Sequence, residues 1–247
     1  MGNKDVCFKF GNEKYDPEEV DNFVVELGCV GFRDPPITLK EPRFGEPVLS
    51  PFYVNMRNVS SPVKNLANTA CYLAWFCKEN KIYGDYFLGV PAGATKLGIV
   101  TTFIYCDQDS KVPQSREKPK DHGEPKDRYY VTAVEKGDEP IIVEDVNTTG
   151  AGLIKEVEKA IEAGAKPLAV TLVNRLEKRD DGRAIKDVMN EMGVRYWCMS
   201  DTKRLLPLEF QKLTPERQDF FGPKVEAYYE KYGAVKLTAN DLKRKVA

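Results

Sequence analysis

The residues best suited to chemistry stand together in Ile141-Ile142-Val143-Glu144-Asp145-Val146-Asn147-Thr148-Thr149-Gly150-Ala151-Gly152. Three β-branched residues predict a buried strand, Glu144 and Asp145 close it, and the Thr-Thr-Gly-Ala-Gly turn opens into Leu153 to Ile161, where apolar residues recur at helical spacing. The unpaired N–H groups of such a turn and the positive end of the helix dipole make a cradle for phosphate. Carboxylates at the carboxyl end of the strand can accept two hydroxyls of a sugar diol. A lone T-T-G is adequately explained as a βα turn with a Thr cap and a Gly that relieves backbone strain. With the acids and the helix start added, the spacing suits a phosphate held beside a ribose.

The elements that must position these groups follow from periodicity and punctuation. Asp16-Pro17-Glu18-Glu19 predicts a helix start, with Val20, Phe23, Val24 and Leu27 as its apolar stripe over 17–27. Two short extended runs, Ile37-Thr38-Leu39-Lys40 and Pro51 to Met56, predict a hairpin with a long irregular connection, a hood over the main sheet. A long helix begins at Ser61-Pro62 and leads to the strand Tyr86 to Val90. A second small-residue turn, Pro91-Ala92-Gly93-Ala94-Thr95, precedes an apolar helix over 97–104. Tyr129 to Val134 and Ile141 to Val143, joined through Lys136-Gly137-Asp138, predict a hairpin that delivers the chain to the acidic pair. After it, strands at 167–173 and 194–199 flank a helix over 184–192, and two closing helices follow from Asp201 to Gly233. Both small-residue turns then fall at the carboxyl ends of strands, where doubly wound sheets bind ligands. The fold class expected is α/β, a mostly parallel sheet of about five strands flanked by helices, with residues 1–60 as amino-terminal helix and hood and 61–247 as one compact core with its carboxyl-terminal helices.

Composition narrows the function classes. A formal charge of −1 gives no general pull towards nucleic acid or an anionic membrane, so attraction for phosphate must come from local placement of Lys and Arg. Six cysteines without CxxC pairs favour free buried thiols in a reducing compartment, and a single histidine, His122, excludes a His-rich metal site. No segment approaches the ~20 apolar residues that span a bilayer, so no membrane association and a cytoplasmic location are expected. Gln114 to Arg128 holds no aliphatic or aromatic side chain beyond its prolines and alternates charges, which predicts an exposed, mobile loop.

Four stretches carry a resemblance. The run from Ile141 to Gly152 resembles the phosphoribosyl-diphosphate (PRPP) signature of type I phosphoribosyltransferases, and Gly89-Val90-Pro91-Ala92-Gly93 resembles that family's pyrophosphate loop. Ser50-Pro51-Phe52-Tyr53-Val54-Asn55-Met56-Arg57 is similar to the S-P-x-Y-x-D-x-R element of orotate phosphoribosyltransferases, with Asn55 in place of the acid. Arg116-Glu117-Lys118-Pro119-Lys120-Asp121-His122-Gly123-Glu124 looks like their R-K-x-x-K-D-H-G catalytic loop, with Glu117 in place of a lysine and Lys118 one place on. The resemblance covers about 37–233, and Gly93 stands where the family often has a lysine.

The resemblance implies a type I phosphoribosyltransferase fold and transfer of ribose 5-phosphate from PRPP to orotate. It implies that Glu144 and Asp145 hold the ribose hydroxyls, that Thr148, Thr149, Gly150, Ala151 and Gly152 grip the 5′-phosphate, and that Asn147 binds the PRPP beside them. Pro91, Ala92, Gly93, Lys118 and Lys40 would lie along the PRPP, while Arg116, Lys120 and His122 would meet the leaving pyrophosphate. Arg175, Phe52, Tyr53 and Thr148 are the residues implied for orotate. Mg²⁺ is the implied cofactor, carried by PRPP with no direct protein ligand, and a homodimer with shared active sites is the implied assembly. Two other readings remain open from the sequence: a purine or other base phosphoribosyltransferase, and a PRPP-sensing regulator without turnover.

Overall fold

The computed structural model describes residues 14–39, 41–122 and 128–244. Lys40 and the loop motif from Gly123 onward lie outside the described residues. Helix α1 (Pro17–Glu26) starts as expected, Asp16 accepting the Glu18 N–H at 2.9 Å. Strands β1 (Val30–Thr38) and β2 (Leu49–Val54) pair antiparallel. Their register slips between Phe32 and Ile37, where Pro35 and Pro36 have no N–H to give the ladder. Then come α2 (Val63–Glu79), β3 (Tyr86–Gly89), α3 (Thr95–Tyr105), β4 (Gln114–Ser115), β5 (Tyr130–Val131), β6 (Pro140–Asn147) and α4 (Ala151–Glu162). The chain closes with β7 (Leu168–Asn174), α5 (Ile185–Glu191), β8 (Tyr196–Asp201), α6 (Thr202–Phe210), α7 (Pro215–Tyr232) and α8 (Ala239–Lys243).

Four parallel strands form the central sheet among the described residues, in the order β3-β6-β7-β8. The hairpin expected between 129–134 and 141–143 is not formed. Both edges of β6 are taken by β3 and β7, so no edge is free for it, and Tyr130–Val131 instead pairs with Gln114–Ser115 to close the base of the charged loop. Along β6 the side chains alternate between two apolar cores. Ile141 and Val143 join the cluster that contains α2 and α3, while Ile142 joins the one under α4 and α5.

The hood is packed mainly against the end of the chain. Phe32 of β1 sits 5.7 Å from Phe210 and 5.2 Å from Phe221, and Phe52 of β2 stacks on Tyr229 at 5.8 Å. Residues from Val20 to Leu242 thus share one apolar cluster. Cys29 and Cys77 are buried free thiols, and no helix among the described residues is long and apolar enough to cross a membrane.

Helix α3 meets β3 at a glycine. A Cβ on Gly98 would lie 2.5 Å from the Gly89 backbone nitrogen. Alanine normally improves a helix interior by about 1 kcal/mol over glycine, whereas forcing a methyl against backbone costs about 1–3 kcal/mol. The clash wins, so Gly98→Ala is expected to lower the urea midpoint despite its better helix propensity; an unchanged or raised midpoint would mean that α3 can move off the strand freely.

Candidate functional site

Strand β6 runs through both acids to Asn147, and because neighbouring strand residues point to opposite faces, the two carboxylates part. Glu144 lies under the start of α4: it accepts the Leu153 N–H, and a Cβ on Gly152 would sit 2.7 Å from its Oε1. Asp145 lies under the second turn, where a Cβ on Gly93 would sit 2.5 Å from both of its oxygens. Glycine at 93 therefore has a steric cause, since any side chain there must displace Asp145. Glu144 is 8% exposed and its Oε2 has no hydrogen-bond partner. Burial, helped by the charges of Asp145 and Glu41, pushes its carboxyl up to about 8. Burial also raises Asp145, against the pull of backbone N–H groups and of Arg57.

The signature turn is built as expected at its glycine. Gly150 has φ +78° and begins α4 without any side-chain cap. Ala151 and Gly152 are exposed and Thr148 is half-exposed, so this end of the helix is accessible. Thr149 is buried: its hydroxyl donates to the Glu41 carboxylate of the hood, and its carbonyl accepts from Arg179 at 3.1 Å. Asn147, expected to bind PRPP, has a fully buried side chain that donates to the Tyr196 hydroxyl at 3.5 Å, which puts it beneath the turn rather than on it. Across the strand ends, Val90 N–H donates to Val143 at 2.8 Å and fixes the second turn, in which the Pro91–Ala92 peptide is cis and Ala92 and Gly93 are exposed.

Two stretches that are 125 residues apart converge on one guanidinium. Arg175, just past the end of β7, donates to Ser50 Oγ at 2.9 Å and stands over the Phe52 ring at 4.4 Å. Glu177 takes its Nε–H at 2.6 Å, and the Tyr228 hydroxyl lies at 3.2 Å. Arg175 is 2% exposed; burial works against its charge, but the charge and hydrogen bond of Glu177 together with Tyr228 and Tyr229 hold it protonated. Tyr53 is not in this group, since it faces the other way and meets Arg33 at 5.9 Å. Arg43, from the hood connection, reaches the second oxygen of Glu177 at 3.4 Å. A groove of about 470 Å³ lined by Lys178, Tyr229, Gly233 and Leu237 contains none of the expected site residues.

The charged loop rises from the β4–β5 ribbon. Arg116 N–H donates to Tyr129 at 2.8 Å and Lys120 N–H to Arg128 at 2.8 Å. Lys118 and His122 are exposed, Arg116 and Lys120 half-buried. Sequence reasoning missed Glu41, Glu177 and Tyr228, which carry no motif of their own. Arg57 stood inside the quoted S-P-F-Y element and was given no role.

The Glu144 geometry has a consequence for stability. An ordinary carboxyl titrates near 4.5, and this one near 8. Between those values the folded chain keeps a proton that the unfolded chain releases, so this group's contribution to stability falls as pH rises from about 4.5 to 8. Glu144→Gln is expected to match the parent near pH 4.5 and to exceed it increasingly above, by on the order of 3–5 kcal/mol at pH 8.5. Denaturant titrations of both proteins at several pH values test this; parallel curves would mean that Glu144 ionises without penalty.

No protein-family model matches the chain. Its sequence is similar to the orotate phosphoribosyltransferase of Lachnoclostridium phytofermentans, 26% identical over 234 residues that cover 90% of this chain and 98% of that protein. It is 27% identical over 194 residues to the orotate phosphoribosyltransferase of Polynucleobacter necessarius, covering 75% and 85%. Among solved structures, the orotate phosphoribosyltransferase of Francisella tularensis superposes with a TM-score of 0.63 at 20% identity over 86% of this chain and 98% of that one. The UMP synthase of Leishmania donovani gives 0.60 at 22% identity, over 83% of this chain but 42% of that longer one. With its parallel sheet, its two turns at the strand ends and its acidic pair between them, the chain has the type I phosphoribosyltransferase fold.

Proposed function

We propose that the protein transfers ribose 5-phosphate from PRPP to N1 of orotate, giving orotidine 5′-monophosphate and pyrophosphate. The observation that carries this reading is the Glu144–Asp145 pair set between two exposed glycine turns at the ends of parallel strands, with the buried Ser50–Phe52–Arg175 cluster tied to the same strand end by the Arg175 backbone N–H, which donates to the Asn147 carbonyl at 2.9 Å. A guanidinium against an aromatic ring suits a flat anionic base. Two exposed turns flanking carboxylates suit a sugar with phosphate at both ends.

The mechanism follows from where charge develops. As the bond from C1 to the diphosphate oxygen breaks and the bond to N1 forms, the ribose gains positive charge and the diphosphate negative. Glu144 and Asp145 hold the ribose hydroxyls and favour the positive centre, while Arg116, Lys118 and Lys120 meet the diphosphate and His122 gives it a hydrogen bond or a proton. The backbone N–H groups from Thr148 to Gly152 take the 5′-phosphate, for which Thr149 must exchange its bond to Glu41 and release the Ala151 N–H that it accepts at 3.4 Å. Mg²⁺ suits the hard oxygens here, notably the unpartnered Glu144 Oε2, and would neutralise diphosphate charge. Glu144 and Asp145 would hold it through the bound ligand.

A two-fold dimer that shares loops between sites belongs to the same reading. In α3 Phe103 is 65% exposed, and at the start of the neighbouring α2 Val63 is 85% exposed, two apolar side chains that a second copy would cover.

Incubation with PRPP, Mg²⁺ and a panel of bases tests the reaction. Orotate alone is expected to be consumed with release of pyrophosphate; consumption of a purine instead would move the assignment to another base, and no consumption of any would favour a PRPP sensor. Arg175→Ala would strand buried Glu177, so Arg175→Lys, which keeps the charge and loses the fork, is the cleaner probe. Its KM for orotate should rise about tenfold or more, with that for PRPP within about twofold. For the dimer, a mixture of equal amounts of Lys120→Ala and Asp145→Asn chains should recover about a quarter of parental activity when subunits exchange, because half the dimers then hold one intact composite site. No recovery despite exchange would assign the loop to its own chain.

A further inference from the structure

Helix α4 carries a buried ion pair that the proposed chemistry does not use. Lys159 Nζ lies 2.8 Å from Glu156 Oε2, one helical turn apart, with side chains 10% and 2% exposed. The same ammonium donates to Ser115 Oγ at 3.1 Å and to the Arg116 carbonyl at 3.5 Å, and it stands 5.9 Å from the Tyr129 ring. Every one of those partners is in the stem of the charged loop. From the opposite strand of the stem, Tyr130 buries its hydroxyl against Glu156: burial and the Glu156 charge both raise the phenol, although neither Tyr130 Oη nor Glu156 Oε1 has a well-aligned hydrogen bond.

Burying an ammonium costs free energy, and apolar residues of similar volume often serve stability as well as a buried pair does. What a charged pair adds is directionality. Lys159 has three donors and spends them on a carboxylate, a hydroxyl and a carbonyl at fixed angles, so the ribbon can dock in one register only. The carbonyl it grips belongs to Arg116, whose own N–H is paired across the ribbon to Tyr129. Lys159 also sits on the helix whose first residues form the signature turn, about 12 Å farther along at 1.5 Å per residue. A straight helix transmits position without slack over that length. We propose that Glu156 and Lys159 are positioning residues that fix the stem of the 114–131 loop to the phosphate-binding helix and thereby set where Arg116 stands relative to the bound sugar phosphate.

This inference rests on the proposed transfer reaction for its kinetic consequence but not for its structural one. Three variants separate the possibilities: Lys159→Met, Lys159→Arg, and the double variant Glu156→Leu/Lys159→Met, which removes both charges and so leaves no stranded partner. Amide hydrogen exchange in 114–122 and 128–131 is compared with that in 141–162. Transfer is followed with PRPP and orotate, and binding of orotidine 5′-monophosphate is measured by calorimetry. The double variant is expected to exchange at least about tenfold faster in the stem and at the parental rate in 141–162. Its kcat should fall about 10- to 100-fold, as a misplacement near 1 Å costs, with nucleotide affinity within about twofold. Lys159→Arg should restore both stem protection and kcat in part. Parental stem exchange in the double variant would overturn the anchoring, and so would kcat falling only in step with nucleotide affinity, which is what a general loss of structure produces. If the parent itself transfers ribose phosphate to no base, the reaction assignment fails while the exchange comparison still decides whether the pair holds the stem.

Discussion

Two carboxylates on consecutive residues, one buried and one half-buried at the end of an interior strand, constrain everything near them. Carboxylates in a low-dielectric site lose hydration and repel each other, and among the described residues no arginine or lysine pairs with Glu144. The strand eases the repulsion by sending them to opposite faces. Each then comes to lie under a different turn, and each turn must bring bare backbone to it. Gly152 and Gly93 are the visible result, one over Glu144 and the other over Asp145. The free chain holds this arrangement at a cost that a hydroxyl-rich, metal-bearing ligand can relieve. The acidic pair is therefore better understood as an unfinished interaction than as a stabilising element.

Around that centre the fold assembles its charges in graded layers. Among the described residues Arg57 supplies the positive charge that bears on Asp145, and it is exposed. Farther out, Glu177 gathers Arg175 and Arg43 and accepts the Tyr228 hydroxyl at 2.8 Å, so that a single acid organises two guanidinium groups contributed by distant parts of the chain. Glu41 bridges the two regions, since it accepts from Thr149 and lies 3.7 Å from Arg43. A ligand anion arriving at the signature turn thus enters a site where an acid of the protein already occupies one of the donors.

Much of this was legible in the sequence because it depends on local spacing. The strand, the acids, the αL glycine and the helix start are neighbours in the chain, and their periodicities change where the structure changes. Arg175 with Phe52 was reachable through motif resemblance alone, as no periodicity links positions so far apart. The pairing of 129–134 was misread because a short apolar run beside a turn signal looks like a hairpin, and only the sheet order reveals that β6 has both edges filled. The position of Asn147 was hidden for a related reason: alternation along a strand tells which residues share a face, but not that the face beneath the turn is closed by Tyr196. Glu177 and Lys159 were invisible, since a charged residue within a charged neighbourhood announces a partner only once the fold supplies one.

The hood's dependence on the last helices bears on how the molecule comes into being. Phe32 and Phe52 belong to the first quarter of the chain, yet the rings they pack on are at 210, 221, 228 and 229. During synthesis the β1–β2 ribbon leaves the ribosome with its apolar face unmatched, and a two-stranded ribbon alone is marginal in water. The sheet that carries the acids can form in the meantime, from residues made later. The β1–β2 ribbon is therefore buried only once residues 210–229 have been made, after the strands that carry the acids.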